Sequence, residues 1–198
     1  MKTKSKPQTA AEFMAELNAN PVFQAAQAER EKISLAKIEK LKAASKPLDD
    51  ILRSICPLVT DGVWDLVNTS ERYDEVLPIL FEHLTKDYPP EILEGIARAM
   101  AVPEALPYRP TFIRLFRREP QMSKELRYAL GLAIANTTVP DNLAETIALA
   151  KDRSLGDSRL ALLFAFKRSR KPEIRQVIEE LSSDPDLAKE IASWKRRK

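Results

Sequence analysis

Histidine and cysteine are the side chains that most readily do chemistry near neutral pH, and this chain holds one of each, His83 and Cys56. A metal site would therefore have to be built mostly from carboxylates, and no paired His-Glu spacing exists to begin one. His83 lies in "ILFEHL", where it reads as an exposed or half-buried helical residue. Cys56, between Ile55 and Pro57, reads as a small core residue; a single cysteine excludes an intramolecular disulfide and fits a reducing compartment. Gly62, Gly95, Gly131 and Gly156 stand too far apart to form a phosphate-cradling loop or a dinucleotide fingerprint. The chain has no serine nucleophile elbow, and the carboxylate pairs Asp49-Asp50 and Glu179-Glu180 read as solvated charge. These features argue against an enzyme of ordinary type, and neither a cofactor nor a metal is expected.

What chemistry remains is that of charged surfaces. Between Thr60 and Gly95 nine acidic residues, Glu91 and Glu94 among them, face two basic ones, a balance of −7; from Ile96 to Leu130 seven bases face three acids, a balance of +4. Such polarity attracts charged partners or keeps a helical protein soluble. The candidate partner-binding surface comprises Glu91, Glu94, Arg98, Arg114, Arg117, Arg118, Arg127, Arg159, Lys167, Arg168 and Arg170. Read one way these residues form solvated faces; read another, the bases form a track for phosphate backbones. Phe112, Phe116, Phe164 and Phe166 are better explained as core than as platforms for stacking bases.

The elements that must position these residues are helical. With 4 glycines in 198 residues and few β-branched runs, helices joined by short Pro- and Asp-marked turns are expected rather than strands. No apolar run approaches the roughly 20 residues that cross a bilayer, and the basic N-terminus lacks the apolar stretch of a secretory signal, so a cytoplasmic protein is expected. Residues 1 to about 10 have too little apolar content to pack and are expected to be mobile. A short helix, "AAEFMAELNAN", is expected to bury Phe13, Met14 and Leu17. From Val22 to Ala44 a long helix with a thin apolar stripe (Ile33, Leu35, Ile38, Leu41) is expected to stop at Lys46-Pro47. Two domains follow from this reading: residues 1–46, holding the N-terminus and its helices, and residues 47–198. Within the second, Trp64 reads as a buried anchor beside Val63, Leu66 and Val67.

From Tyr73 onward the chain falls into pairs of segments about three turns long: "RYDEVLPILFEHL" with "PPEILEGIARAMAV", "YRPTFIRLFRRE" with "SKELRYALGLAIANTT", "DNLAETIALAKD" with "GDSRLALLFAFKRS", and "KPEIRQVIEELSS" with "DPDLAKEIASWKRR". Pro90, Pro172 and Pro185 suit first helical turns, and Ser123, Asp141 and Asp184 suit N-caps. Aligning the second members puts Ile96, Leu130 and Leu162 in one column and Met100, Ile134 and Phe166 in another. Small residues fill the columns between them: Ala99, Ala133 and Ala165, with Gly95, Ala129 and Ala161 one turn earlier. Bulky columns fill a core, and small columns let neighbouring helices approach. In the first members, Pro78, Leu80, Phe81 and Leu84 recur as Pro110, Phe112, Ile113 and Phe116.

From about Tyr73 to Trp194 these repeats resemble HEAT-repeat and HEAT-like proteins, and the whole chain resembles the small HEAT-repeat-containing proteins of bacteria; the Trp-Leu-Gly-Tyr pattern of tetratricopeptide repeats is missing. The resemblance implies an all-α, right-handed α-solenoid preceded by a long N-terminal helical region. It also implies a non-enzymatic protein-binding module or scaffold, and the polarity from −7 to +4 points to a charged protein partner. HEAT-like solenoids include DNA-binding alkylpurine glycosylases, similar in size and helix pairing. Their catalytic acid and aromatic residues find no match here, so that alternative carries over only backbone binding to nucleic acid. Self-association through the helix from Val22 to Ala44 is a third expectation.

Overall fold

The protein was analysed as a computed structural model that describes residues 9–67, 69–117, 122–167, 169 and 171–195. Those residues form helices joined by short turns, with no strand among them. By contact density the chain divides into two units, Met1–Ala43 and Ala44–Lys198. The mobility expected of the first residues concerns a stretch that lies, apart from residues 9 and 10, outside the described residues.

In the first unit, helix α1 (Ala10–Ala19) opens on a capping box: the Thr9 hydroxyl accepts from the Glu12 amide at 3.3 Å, and the Glu12 carboxylate accepts from the Thr9 amide at 2.9 Å. The expected burial of Phe13 and Met14 is corrected, since they are 51% and 52% exposed. Helix α2 (Pro21–Ile55) begins here, and Ile33, Leu35 and Ile38 are likewise exposed. None of the described residues from 9 to 43 is buried.

The expected stop at Lys46-Pro47 is also corrected. α2 runs through Pro47 to Ile55, although the proline ring has no amide to give the Ala43 carbonyl. Burial downstream explains the continuation: Leu48 and Leu52 are fully buried, and the buried Asp49 carboxylate accepts the Val63 amide at 3.3 Å. Short α3 (Trp64–Val67) follows. Val63 and Leu66 take the buried places there, whereas Trp64, expected as a buried anchor, stays 45% exposed against Gly95.

The paired pattern is realised as α4 (Leu77–Leu84) with α5 (Pro90–Ala99), α6 (Arg109–Phe116) with α7 (Lys124–Asn136), α8 (Leu143–Lys151) with a segment from Arg153 to Lys167, and α10 (Pro172–Leu181) with α11 (Ala188–Lys195). α5 packs on α7, and α7 packs on the 153–167 segment. Both bulky columns are buried: Ile96, Leu130, Leu162, Met100, Ile134 and Phe166 have no exposed surface. In the small columns Ala99, Ala133, Ala129 and Ala161 are equally buried.

The third pair departs from the expected pattern. Instead of one α-helix, the segment is 3₁₀-helical from Arg153 to Leu162 and becomes α-helical only in α9 (Leu163–Lys167). Gly156 kinks it at φ 56 and ψ −145, a conformation open essentially only to glycine, and no atom stands where a Cβ would go. The caps are distributed differently from expectation as well. Ser123 caps α7 by accepting from the Leu126 amide at 3.2 Å, and the Asp184 carboxylate accepts the Asp186 amide at 3.1 Å as a cap does while also holding Arg159, but Asn142 rather than Asp141 accepts the Val139 amide.

Candidate interaction surface

The eleven charged residues singled out from the sequence meet different fates. Arg159 leaves the surface altogether: it is fully buried, and this corrects its place in the candidate set. Its Nη1 and Nη2 grip the Asp184 carboxylate in parallel, each at 3.0 Å, and Nη2 also reaches Asp186 at 2.9 Å. The Ala150 and Gly156 carbonyls accept the remaining N–H groups at 3.1 and 2.8 Å. A guanidinium so engaged fastens the third pair to the fourth and has nothing left for a partner. Hydrogen bonding from Arg159 holds the Asp184 carboxyl below the usual carboxylate range.

Glu94 and Arg98 are one helical turn apart on α5 and pair at 2.8 Å, with the guanidinium 5.9 Å from the Tyr128 ring. Lys167, exposed at the end of the third pair, reaches toward the last helix: its ammonium lies 5.8 Å from the Phe164 ring, 5.5 Å from the Trp194 ring and 3.9 Å from Glu190. Glu91 and Arg127 are half-buried. Arg118, Arg168 and Arg170 lie outside the described residues. Arg114 on α6 and Arg117 at its C-cap remain exposed. Arg117 adds its field at Asp152, whose carboxyl is lowered first by the hydrogen bond from the Ser154 hydroxyl.

Arg114 lines a cleft. About 320 Å³ in volume, it opens where the C-terminal end of α4, the start of α5, the later part of α6 and the start of α7 converge. Leu84, Leu93, Leu115, Met122, Leu126 and Leu130 line it with apolar surface, while Lys86 and Arg114 supply its charge. Among the described residues no carboxylate is in the lining. Arg114 makes no ion pair with a described residue, and Lys86 pairs with Glu82 at 2.7 Å. Lys86, Leu93 and Met122 escaped the sequence reading. The signal available was the recurrence of a cation near the end of the first helix in two successive pairs.

His83 is corrected from exposed or half-buried to buried, at 4% exposure. Its ring stacks on Tyr88 with centroids 5.7 Å apart. An ammonium can only donate, so Nε2 accepts from Lys86 at 3.2 Å, and Nδ1 carries the proton that it donates to the Tyr88 hydroxyl at 2.8 Å. Burial and the Lys86 charge hold the ring below its ordinary pKa. Cys56 is buried at 1% exposure. Among the described residues no group of three or more His, Cys, Asp and Glu side chains could hold a metal ion, and no helix is long and apolar enough to cross a membrane.

One sequence-invisible feature recurs where helices meet, both within pairs and between them. Carbonyls at or just past a helix C-terminus, which lack an intrahelical donor, receive one from a neighbouring pair or segment. The Tyr73 hydroxyl donates to Ala99 at 2.9 Å, Asn136 to Ala101 at 2.6 Å, Arg109 to Ile134 at 2.6 Å, and Arg159 to Ala150. Arg109, buried like Arg159, extends the seam by donating to the Thr146 hydroxyl at 2.8 Å. Comparison of the chain with protein-family models, with curated proteins and with solved structures gives no match.

Proposed function

We propose that this chain is a non-enzymatic protein-binding module, built as a right-handed α-solenoid of HEAT-like helix pairs. The observation that carries the reading is the cleft between the first two pairs, where apolar surface and two cations stand together with no acid among the described lining residues. The packing of α5 on α7, and of α7 on the 153–167 segment, supports a stack of repeats that presents such junctions side by side. Mixed apolar and charged surface is what a protein partner recognises: apolar contacts give affinity, and charge gives orientation and speed.

Nucleic-acid binding through the phosphate backbone is the second reading, favoured by the exposure of Arg114 on α6 and Arg117 at its C-cap. It is the weaker one, because Arg159 is buried against Asp184 and Arg98 is paired with Glu94. Capture from native lysate, with and without nuclease, separates the two. A protein retained after nuclease, and lost from an Arg114→Glu/Arg117→Glu variant that melts like the wild type, is the expected result. Recovery of nucleic acid alone, released by salt, replaces the first reading with the second.

A further inference from the structure

The cleft between the first two helix pairs also narrows the class of partner. We infer that it docks an acidic amphipathic segment of a partner protein: a peptide that seats one or two bulky apolar side chains on the leucines and sets a carboxylate, one helical turn away, against Arg114. The inference rests on the protein-binding reading above and deepens it.

Charge complementarity selects this occupant. The described lining residues include the two basic side chains Lys86 and Arg114 and no carboxylate, so a segment with its own lysines or arginines would meet repulsion from them. Lys86 is partly neutralised by Glu82, which leaves Arg114 as the cation that a carboxylate engages most directly. An exposed guanidinium presents parallel N–H donors that match a carboxylate edge to edge. The volume, about 320 Å³, lies at the low end for small-molecule sites, which run from roughly 300 to 1,000 Å³. Polar groups that would fix a small ligand are few here. The Thr85 hydroxyl is already donated to the Glu82 carbonyl at 3.0 Å, and the Ser123 hydroxyl already accepts from the Leu126 amide. What remains is an apolar seat with a cation at its edge, which fits the anchor-plus-charge pattern of a docked segment.

The experiment is a selection of random 16-residue peptides displayed on phage against the full chain, followed by fluorescence anisotropy with synthetic copies of the winners. Peptides with Asp or Glu three or four residues from a Leu, Ile, Phe or Met are expected to be enriched. Their affinity is expected to fall at least about tenfold on Arg114→Glu, since like charges face each other across the contact, and to recover when the peptide carboxylate is exchanged for lysine. Leu93→Lys, at a half-buried position on the cleft wall, is expected to weaken binding of both peptides. Each variant is checked by its circular dichroism melt. Winners that bind Arg114→Glu and Leu93→Lys as well as the wild type overturn the inference, as does a selection without acidic winners. Dodecanoate binding in their place assigns the cleft to a small amphiphile, and dimerisation abolished by Arg114→Glu assigns it to a second copy; each overturns it too. A lysate partner whose capture ignores both variants overturns this inference while leaving the protein-binding reading intact.

Discussion

Arg159 and Arg114 are the same residue type on neighbouring helix pairs, yet one is a structural fastener and the other is exposed. In the sequence both read as surface bases, because nothing local announces that Asp184 and Asp186, a pair later in the chain, close over the first. The long-range partner, not the residue type, makes the difference. Replacing Arg159 by Met is expected to destabilise the fold by about 3 kcal/mol in urea unfolding, since the buried Asp184 carboxylate keeps only the exposed Arg153, at 3.3 Å, as counter-charge. Replacing Asp184 by Leu in the same chain is expected to recover part of the loss. His83 was likewise illegible, because its burial depends on Tyr88 and Lys86 folding back over it. Its folded pKa lies below the ordinary 6.5, so above that pH the ring is neutral in both states and contributes no pH dependence. As pH falls below 6.5 the unfolded chain takes up a proton that the folded form resists, and stability drops until the folded pKa is passed. Melting temperatures from pH 7.5 to 5 are expected to decline for the wild type and to flatten for His83→Gln.

At the scale of elements the sequence was most informative. Apolar columns spaced to one face of successive helices leave few alternatives, so the burial of Ile96, Leu130, Leu162, Met100, Ile134 and Phe166 could be read directly. The small columns have an equally physical cause. A Cβ at Gly131 would stand 2.7 Å from the Ala161 Cβ and 3.3 Å from the Phe116 ring. Ala161 is fixed to its backbone and cannot yield, so Gly131→Ala is expected to lose about 1 to 2 kcal/mol net, overpacking outweighing the gain in helix propensity. Adding Ala161→Gly is expected to restore much of it, a coupling that a double-mutant cycle measures. Gly95→Ala is expected to cost less. Its close neighbours are Val63 Cγ1 at 2.9 Å and the Trp64 ring at 3.1 Å, side-chain atoms that can shift, and Trp64 is half exposed. The boundaries of elements were less legible. Pro47 marks a helix end by local rules, yet burial of Leu48 and Leu52 carries α2 through it. The 3₁₀ segment before α9 likewise follows from Gly156 and the anchoring of Arg159 rather than from periodicity.

At the scale of the molecule, buried side chains are unevenly shared along the chain. Every buried residue among those described lies from Leu48 onward, so the unit Ala44–Lys198 contains the whole described core. Helix α2 has 35 residues and would extend about 52 Å at 1.5 Å per residue, but its portion before Ala44 has no buried side chain. That portion relies on strong helix formers and on surface pairs such as Glu39 with Lys42 at 3.8 Å, contributions of a few tenths of a kcal/mol each. A chain of residues 44–198 is therefore expected to unfold cooperatively with a melting temperature within about 5 °C of the full chain, because the contacts that set cooperativity are all retained. Hydrogen exchange on the full chain tests the same point from the other side. Amides from 22 to 43 are expected to exchange orders of magnitude faster than those at Ile96, Leu130 and Ile134, which open only with the core. A melting temperature lowered by more than about 10 °C in the shorter chain, or slow exchange before Ala43, would mean that the first unit carries stability that its exposed side chains do not account for.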